Sequence, residues 1–262
     1  MKYLLISLAL SSFAGAALAA KTGGKWQVKL FPGGTLGGDL QTVSALQGGT
    51  IEMTVLNAGI LSAQVKDFEV LDFPFLFASA QEADAVTDGA FGKGLLAKLT
   101  DKGLIGLGYW DLGFRNLTNS VRPIRAPADL KGMKLRTTPN PMHVEAFKIW
   151  GANPTPLPIS ETYLALSTRT VEGQENPTVH IAKLKFQEVQ KHLSVTRHAF
   201  TAAPLVMNLA KFKALSPQHQ ALVMKAAKDA ALVERKTNDD LEAESLALIR
   251  KAGVEVIENV DT

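Results

Sequence analysis

The feature that most constrains this chain is an alternation of short apolar runs ending in glycine or proline with stretches of helical spacing. Trp26 to Phe31 alternates in strand fashion and stops at Pro-Gly-Gly, which predicts a strand closed by a turn. A helix is expected from Gly38 to Leu46, then a strand in "GTIEMTVLNAG" closed by Gly59, then the apolar run "VLDFPFLF" broken at Pro74. The spacing of Ala85, Phe91, Leu95, Leu96 and Leu99 predicts a helical segment from about Gln81 to Lys102, ending at Gly103. "LIGLGYW" follows as a buried strand. From Gly113 the pattern restarts with "FRNLTNS", "PADLKGMKLRTTP", a helix near His143 to Trp150 and the Pro-rich "GANPTPLP". Ser160, Glu161 and the apolar Tyr163, Leu164 and Leu166 predict a capped helix, and Asn176 is placed to cap another with Pro177 at its first position. Ser216-Pro217 opens an amphipathic segment to about Arg250, which as one helix spans about 50 Å, enough to cross two domains. Strands alternating with helices mean α/β. With such units on both sides of a seam near Leu112, a two-lobed shape with a cleft is expected.

The first residues, "MKYLLISLALSSFAGAALAA", carry one lysine, an apolar run and Ala17-Leu18-Ala19, the small-x-small form of a cleaved secretion signal over residues 1–19. The apolar core from Tyr3 to Leu10 is shorter than the roughly 20 residues that a membrane span needs. There is no cysteine, so disulfides, zinc-thiolate sites and cysteine nucleophiles are excluded. Stability must come from burial, and roughly 240 mature residues suffice for one large or two modest domains. Removing the leader takes away Lys2 and leaves 27 of the 28 basic side chains against 25 acidic ones. That balance points away from a nucleic-acid partner.

Enzyme motifs are mostly missing. His143, His180, His192, His198 and His219 show no HExxH spacing and are expected at the surface, and neither G-x-S-x-G nor a complete phosphate loop occurs. The stretch "MKLRTTP" is more informative. Read as a strand, it sends Met133, Leu135 and Thr137 to one face and Lys134 and Arg136 to the other. A solvated basic face is one reading. The other notes that ligands of open α/β sheets bind beyond the carboxyl ends of strands, where Arg136 sits and can grip an anion. Arg115 in "GFRNLTNS" is a second candidate, with Asn176 close by in the pattern. A guanidinium fork matches a carboxylate, each charged hydrogen bond gives about 1.5 to 3 kcal/mol, and two or three with burial reach micromolar affinity, about 8 kcal/mol.

"FPGGTLGGD", "DFPFLF", "GFRNLTNS.RPI", "DLKGMKLR", "GANPTP", "E.Y.AL" and "VEGQENP" occur in an order that resembles the solute-binding subunits of tripartite ATP-independent periplasmic (TRAP) transporters, DctP type, from about Lys21 to Val256. The resemblance implies a periplasmic, two-lobed binding protein, a monomer without cofactor, that closes on an organic acid and delivers it to a membrane permease. It assigns the main carboxylate salt bridge to Arg136 and further cleft positions to Arg115, Asn176, Asp39 and Asn57. Relatives that bind sialic acid carry an acidic residue and a second arginine where this chain has Asn57 and Ile60, which disfavours sialate. Trp110, Asn57 and Ile159 leave room for a sugar acid, a small hydroxy acid or dicarboxylate, or an aromatic acid. For Trp110, ordinary core packing is the competing account.

The resemblance places lobe 1 at residues 20–112 plus about 202–240, and lobe 2 at residues 113–201 plus about 241–262. Relatives carry a strand and helix before the segment matching "KTGGKW" and more helix after Thr262, so both lobes are expected to be shortened. Lys21 to Gly24 reads as the glycine cap of a helix whose body is absent, and poor folding or weak binding is the expected result. Two other functions compete: a periplasmic enzyme acting on an organic acid, which needs a general base among Asp39, Glu161 and Glu175, and a binding protein that feeds a sensor.

Overall fold

The computed structural model describes residues 26–261. The leader expected at residues 1–19 and the capping segment Lys21 to Gly24 lie outside them. Among the described residues one sheet holds seven strands: β1 (Met53–Val55), β2 (Leu104–Asn119), β3 (Lys134–Thr137), β4 (Asn153–Pro156), β5 (Gly173–Pro177), β6 (His192–Asn208) and β7 (Glu255–Ile257). Their order is β1-β6-β2-β5-β3-β4, with β7 paired to β6. The helices are α1 (Asp39–Gln47), α2 (Ala80–Asp88), α3 (Ala90–Lys98), α4 (Pro141–Ile149), α5 (Ile159–Ser167), α6 (Thr178–Lys183), α7 (Leu209–Lys213) and α8 (Pro217–Lys251).

The antiparallel pair β2 and β6 is the spine. It runs from Leu104 opposite Asn208 to Asn119 opposite His192, with register shifts at Gly106/Gly108, Asp111/Gly113 and Arg115/Leu117. The chain does not break near Leu112, where the pattern restarts. One strand continues and bulges there, because "LIGLGYWDLGFRNLTN" pairs with β6 on both sides of Leu112, and such bulges bend a strand and raise its twist. Apolar residues gather in separate clusters on the two sides of that bend. Leu46, Ile60, Phe68, Leu71, Leu99 and Leu104 pack with Val206 at one end of the spine. At the other, Ile181, Phe186 and Leu193 form one cluster, and Leu135, Phe147 and Met133 another. Helix α8 serves both ends, with Val223 and Ala227 packed by Met207 and Phe212, and Ile249 packed by Ile181 and Phe186. Ser216 caps it by accepting from the His219 N–H, with Pro217 in the first turn, as the sequence predicts.

Several local expectations give way to tertiary context. Trp26 to Phe31 forms no strand, and Val28 and Phe31 stay exposed. Alternation makes a strand only where a neighbouring edge offers hydrogen bonds. The long helix expected over residues 81–102 is split: α2 stops at Gly89, whose added Cβ would lie 2.7 Å from the Ala85 carbonyl oxygen, and α3 then gives way to a 3-10 turn, Leu99–Lys102. Ser160 is not a cap, because α5 already starts at Ile159 behind Pro158. Asn176 lies inside β5, opposite Asn116, and Pro177 is the residue that precedes α6. Strand β4 carries Pro154 and Pro156, which the sheet tolerates because β4 is an edge.

Helix α8 is fastened to the spine by charged groups. Glu234 Oε2 accepts from the Asp111 N–H at 2.9 Å, and Arg235 binds Asp84 at 3.1 Å, Asp88 at 2.7 Å and the Tyr109 carbonyl at 3.1 Å. Burial, with Asp84 nearby, pushes Asp111 up to about 7, and burial, partly offset by the bond from the Asp111 N–H, pushes Glu234 up to about 8.

Two outcomes follow. Leu135→Ala, at a fully buried position beside Arg136 on β3, should lower stability by about 2 to 5 kcal/mol in chemical denaturation, whereas the exposed Ile149→Ala should stay within about 0.5 kcal/mol of the parent. Because Asp111 and Glu234 hold protons in the folded state that the unfolded chain releases above about pH 4, their contribution to stability falls as pH rises toward about 8. Glu234→Gln keeps the acceptor for the Asp111 N–H and should flatten that decline. An unchanged profile of melting temperature against pH between about pH 5 and 8 would mean that Glu234 does not carry it.

Candidate ligand-binding site

Strand β3 lies between β4 and β5 and is parallel to both, with Arg136 opposite Thr155 on one side and Gln174 on the other. Lys134 and Arg136 share a face, yet Lys134 is exposed and Arg136 is only 1% exposed. The same face is wet where the strand begins and covered where it ends, so the solvated basic face holds for Lys134 alone. Arg136 Nε and Nη2 both donate to the Leu157 carbonyl, at 2.9 and 2.6 Å. Its Nη1 is buried without a partner. Burial lowers the Arg136 pKa to about 10, with Glu175 opposing, so the group keeps its charge at neutral pH.

Two helix starts, one from each side of the spine's bend, meet beside this guanidinium. Helix α1 packs Val43 and Leu46 into the first core and begins at Asp39; α5 packs Ala165 and Leu166 into the second and begins two residues after Leu157. The connection Gly34 to Gly38 lies against the start of α5. A Cβ on Gly34, whose φ is +75°, would sit 3.2 Å from Ser160 Cβ, and one on Gly38 would sit 3.4 Å from Pro158. No side chain caps the first turn of α5. Burial raises the Asp39 carboxyl and Arg136 opposes that shift, which marks the two as electrostatic neighbours.

Arg115 is placed differently. It is 2% exposed and all three of its nitrogens have protein partners. Nε pairs with Glu175 Oε2; Nη2 reaches Glu175 Oε1 at 3.0 Å, the Glu175 carbonyl at 2.6 Å and Asn176 Oδ1 at 3.2 Å; Nη1 donates to Thr201 Oγ1 at 3.0 Å. Glu175 is fully buried and also faces His143 Nδ1 at 3.7 Å and His198 Nε2 at 3.3 Å. On its other side His143 Nε2 lies 3.6 Å from Asp72, whose second oxygen accepts from Asn140 Nδ2 at 2.9 Å. Burial would raise Glu175, but Arg115 and His143 hold it well below the usual carboxylate range. Burial would lower His143, but Glu175 and Asp72 together raise it to about 9. Burial keeps His198 below its ordinary value despite Glu175.

The structure therefore brings together Arg136, Asp39, Arg115 and Asn176 from the sequence-derived set, with Asn176 Nδ2 also donating to Gln174 Oε1 at 2.6 Å. Asn57 accepts from the Gly59 N–H at 3.0 Å and caps a 3-10 turn; Trp110 carries a buried indole N–H without a partner; Ile159 packs on the second core. His143 and His198 are buried rather than on the surface, and with Asp72 and Asn140 they are the polar residues that pattern reasoning did not find. Their signal was slight: Asn140 before Pro141 reads as a helix cap, and it does cap α4. Of the three candidate bases, Glu161 is exposed and Glu175 is a strongly ionised ion-pair partner, which leaves no poised proton acceptor in that carboxylate. Among the described residues no group of His, Cys, Asp or Glu is placed to hold a metal ion, and no helix is long and apolar enough to cross a membrane.

Comparison with known proteins identifies the family. Residues 6–262 match the family model described as bacterial extracellular solute-binding protein, family 7, DctP. The chain is 41% identical over 244 residues to the 2,3-diketo-L-gulonate-binding periplasmic protein YiaO of Escherichia coli, covering 93% of this chain and 74% of that protein. It superposes with a TM-score of 0.94, at 36% identity, on a TRAP periplasmic solute-binding protein from Polaromonas bound to D-erythronate, covering 97% of this chain and 84% of the other. A sugar acid binding protein from Advenella mimigardefordensis in complex with galactonate gives a TM-score of 0.93 at 38% identity, covering 95% and 81%. These relatives are solute-binding proteins and not enzymes, and the chain belongs to the DctP family of TRAP transporter solute-binding proteins.

Proposed function

We propose that this protein, exported through the leader at residues 1–19, captures an organic acid anion in the periplasm on Arg136 and delivers it as a monomer to the permease of a TRAP transporter. The observation that carries this reading is the buried, charged Arg136 with Nη1 unpartnered. Leu157 takes the side of the guanidinium formed by Nε and Nη2, so the end formed by Nη1 and Nη2 is left to a carboxylate. A charged donor withdrawn from water and left unpaired is costly, and a ligand carboxylate removes that cost. Because Arg136 lies where the start of α1 meets the start of α5, closure of the two lobes and capture of the anion become one event.

A polyhydroxy acid suits the neutral and accepting groups around this charge. Asp39 beside Arg136 is an acceptor for a hydroxyl, and the family resemblance adds Asn57, Asn176 and Trp110, whose indole N–H has no partner, as cleft positions. The ligands of the Polaromonas and Advenella relatives, D-erythronate and galactonate, are of this kind. Specificity in this scheme comes from side chains of both lobes, lobe 1 supplying Asp39, Asn57 and Trp110 and lobe 2 supplying Arg115, Arg136, Ile159 and Asn176.

The test is a thermal-shift screen of sugar acids, hydroxy acids and aromatic acids, followed by calorimetry on the best binder. A ligand that binds only the folded state should raise the melting temperature. Arg136→Lys keeps the charge but loses the planar fork, and should weaken binding by roughly 10- to 100-fold while leaving the unfolding transition cooperative. Equal affinity of Arg136→Lys and the parent would remove Arg136 from its role as anchor.

A further inference from the structure

Asp72 is a buried carboxylate whose polar partners lie on the far side of the cleft. It ends a 3-10 turn, Lys66–Asp72, that Phe68 and Leu71 hold in the first apolar cluster, and it is buried. Its Oδ2 accepts from Asn140 Nδ2 at 2.9 Å, and its Oδ1, which has no hydrogen bond, faces the His143 cation with Nε2 at 3.6 Å. Asn140 and His143 belong to the start of α4, which Phe147 holds in the cluster around Leu135 at the other end of the spine. The Asn140 amide is oriented by its own helix. Its Oδ1 accepts from the Met142 N–H at 2.9 Å as the cap of α4, so Nδ2 is the end left to turn toward Asp72. Gly59 supplies the clearance. A Cβ there would lie 2.0 Å from Asp72 Oδ2 and 2.1 Å from Asn140 Nδ2, so the absence of a side chain is what lets the bond close.

A carboxylate taken out of water is costly unless its partners stay in place, and these partners sit on the lobe that must move away when the cleft opens. Asn140 also follows Arg136 by four residues, at the same end of β3, so a bond that holds Asn140 to Asp72 holds the Arg136 strand against lobe 1. From this geometry we infer that Asp72 and Asn140 form a clasp between the lobes, which acts without contact with the bound acid and sets how long the closed form lasts. Both are positioning residues. The inference rests on the two-lobed reading of the chain and is independent of Arg136 as the anchor.

Two single substitutions break the clasp in different ways. Asn140→Asp keeps a capping oxygen for α4 but sets a second carboxylate against Asp72, and Gly59→Ala drives a methyl group between the two side-chain ends. In stopped-flow binding of D-erythronate and D-galactonate to the mature protein, followed by tryptophan fluorescence, each should raise the dissociation rate by about tenfold and leave the association rate within about twofold of the parent, because the clasp forms after encounter. Asp72→Asn combined with Asn140→Asp again sets an amide against a carboxylate and should return the dissociation rate toward the parental value, a rescue that a loss of packing in α4 does not give. The chain has no cysteine, so spin labels at Lys93→Cys on α3 and Lys148→Cys on α4, both exposed, report the spacing of the lobes with and without an acid. Asn140→Asp should lengthen that spacing, and the double exchange should shorten it again. Faster release or a longer spacing that the exchange reverses supports the clasp. Unchanged dissociation rates together with unchanged spacing in both single variants overturn it, even where the thermal-shift screen upholds Arg136. If no acid binds, the reading of Arg136 fails separately and the label spacing alone decides for or against the clasp.

Discussion

The buried ion pair between Arg115 and Glu175 is the interaction on which the rest of this structure depends. Withdrawing two full charges from water costs several kcal/mol each, and mutual attraction offsets that only when the remaining donors and acceptors are also satisfied. Here they are. Arg115 comes from the bend of β2, Glu175 and Asn176 from β5, Thr201 and His198 from β6, and His143 from α4, which reaches on to Asp72 beside the first core. Five segments are thereby pinned at the point where the spine changes from one apolar cluster to the other. A polar network of this kind is costly if any member is lost, so it fixes one arrangement of the segments that surround it.

Arg136 takes its character from that network without belonging to it. With Glu175 already paired, the nearest carboxylate left to Arg136 is Asp39, itself short of solvent, and the backbone of Leu157 supplies only one side of the guanidinium fork. The protein thus keeps one strong donor unsatisfied in its interior, at a junction between the starts of two helices. Binding proteins need such an imbalance, since a site whose charges are all satisfied internally has little to gain from a ligand. The tie through Glu234, Arg235 and Asp111 fastens α8 to the bend of β2.

Much of the candidate site was legible in the sequence because its residues sit in distinctive local strings. Arg136 at the end of "MKLR" and the strand-helix alternation on both sides of the bend could be read directly, as could the long helix opened by Ser216-Pro217. The histidines could not. Nothing in the neighbours of His143 or His198 announces burial; they become buried because α4 and β6 are brought onto Glu175, which lies far from both along the chain. Arg115 and Asn176 were found as residues but not in their arrangement, since pairing β2 with β5 turns an apparent helix cap into a strand residue that accepts from Arg115.

The sequence by itself determined the α/β class, the absence of thiol chemistry, the cap and length of α8 and the candidate anchor, because each of these depends on near neighbours or on composition. Tertiary structure alone decided which arginine keeps a nitrogen without a protein partner. Both guanidinium groups are buried, both lie on strands and both look alike in the chain; the partner that occupies Arg115 is 60 residues away, and none comparable reaches Arg136 Nη1. Local periodicity reports which face a side chain takes. The charge that meets it there depends on strand pairing, because electrostatic satisfaction is a property of three-dimensional neighbours.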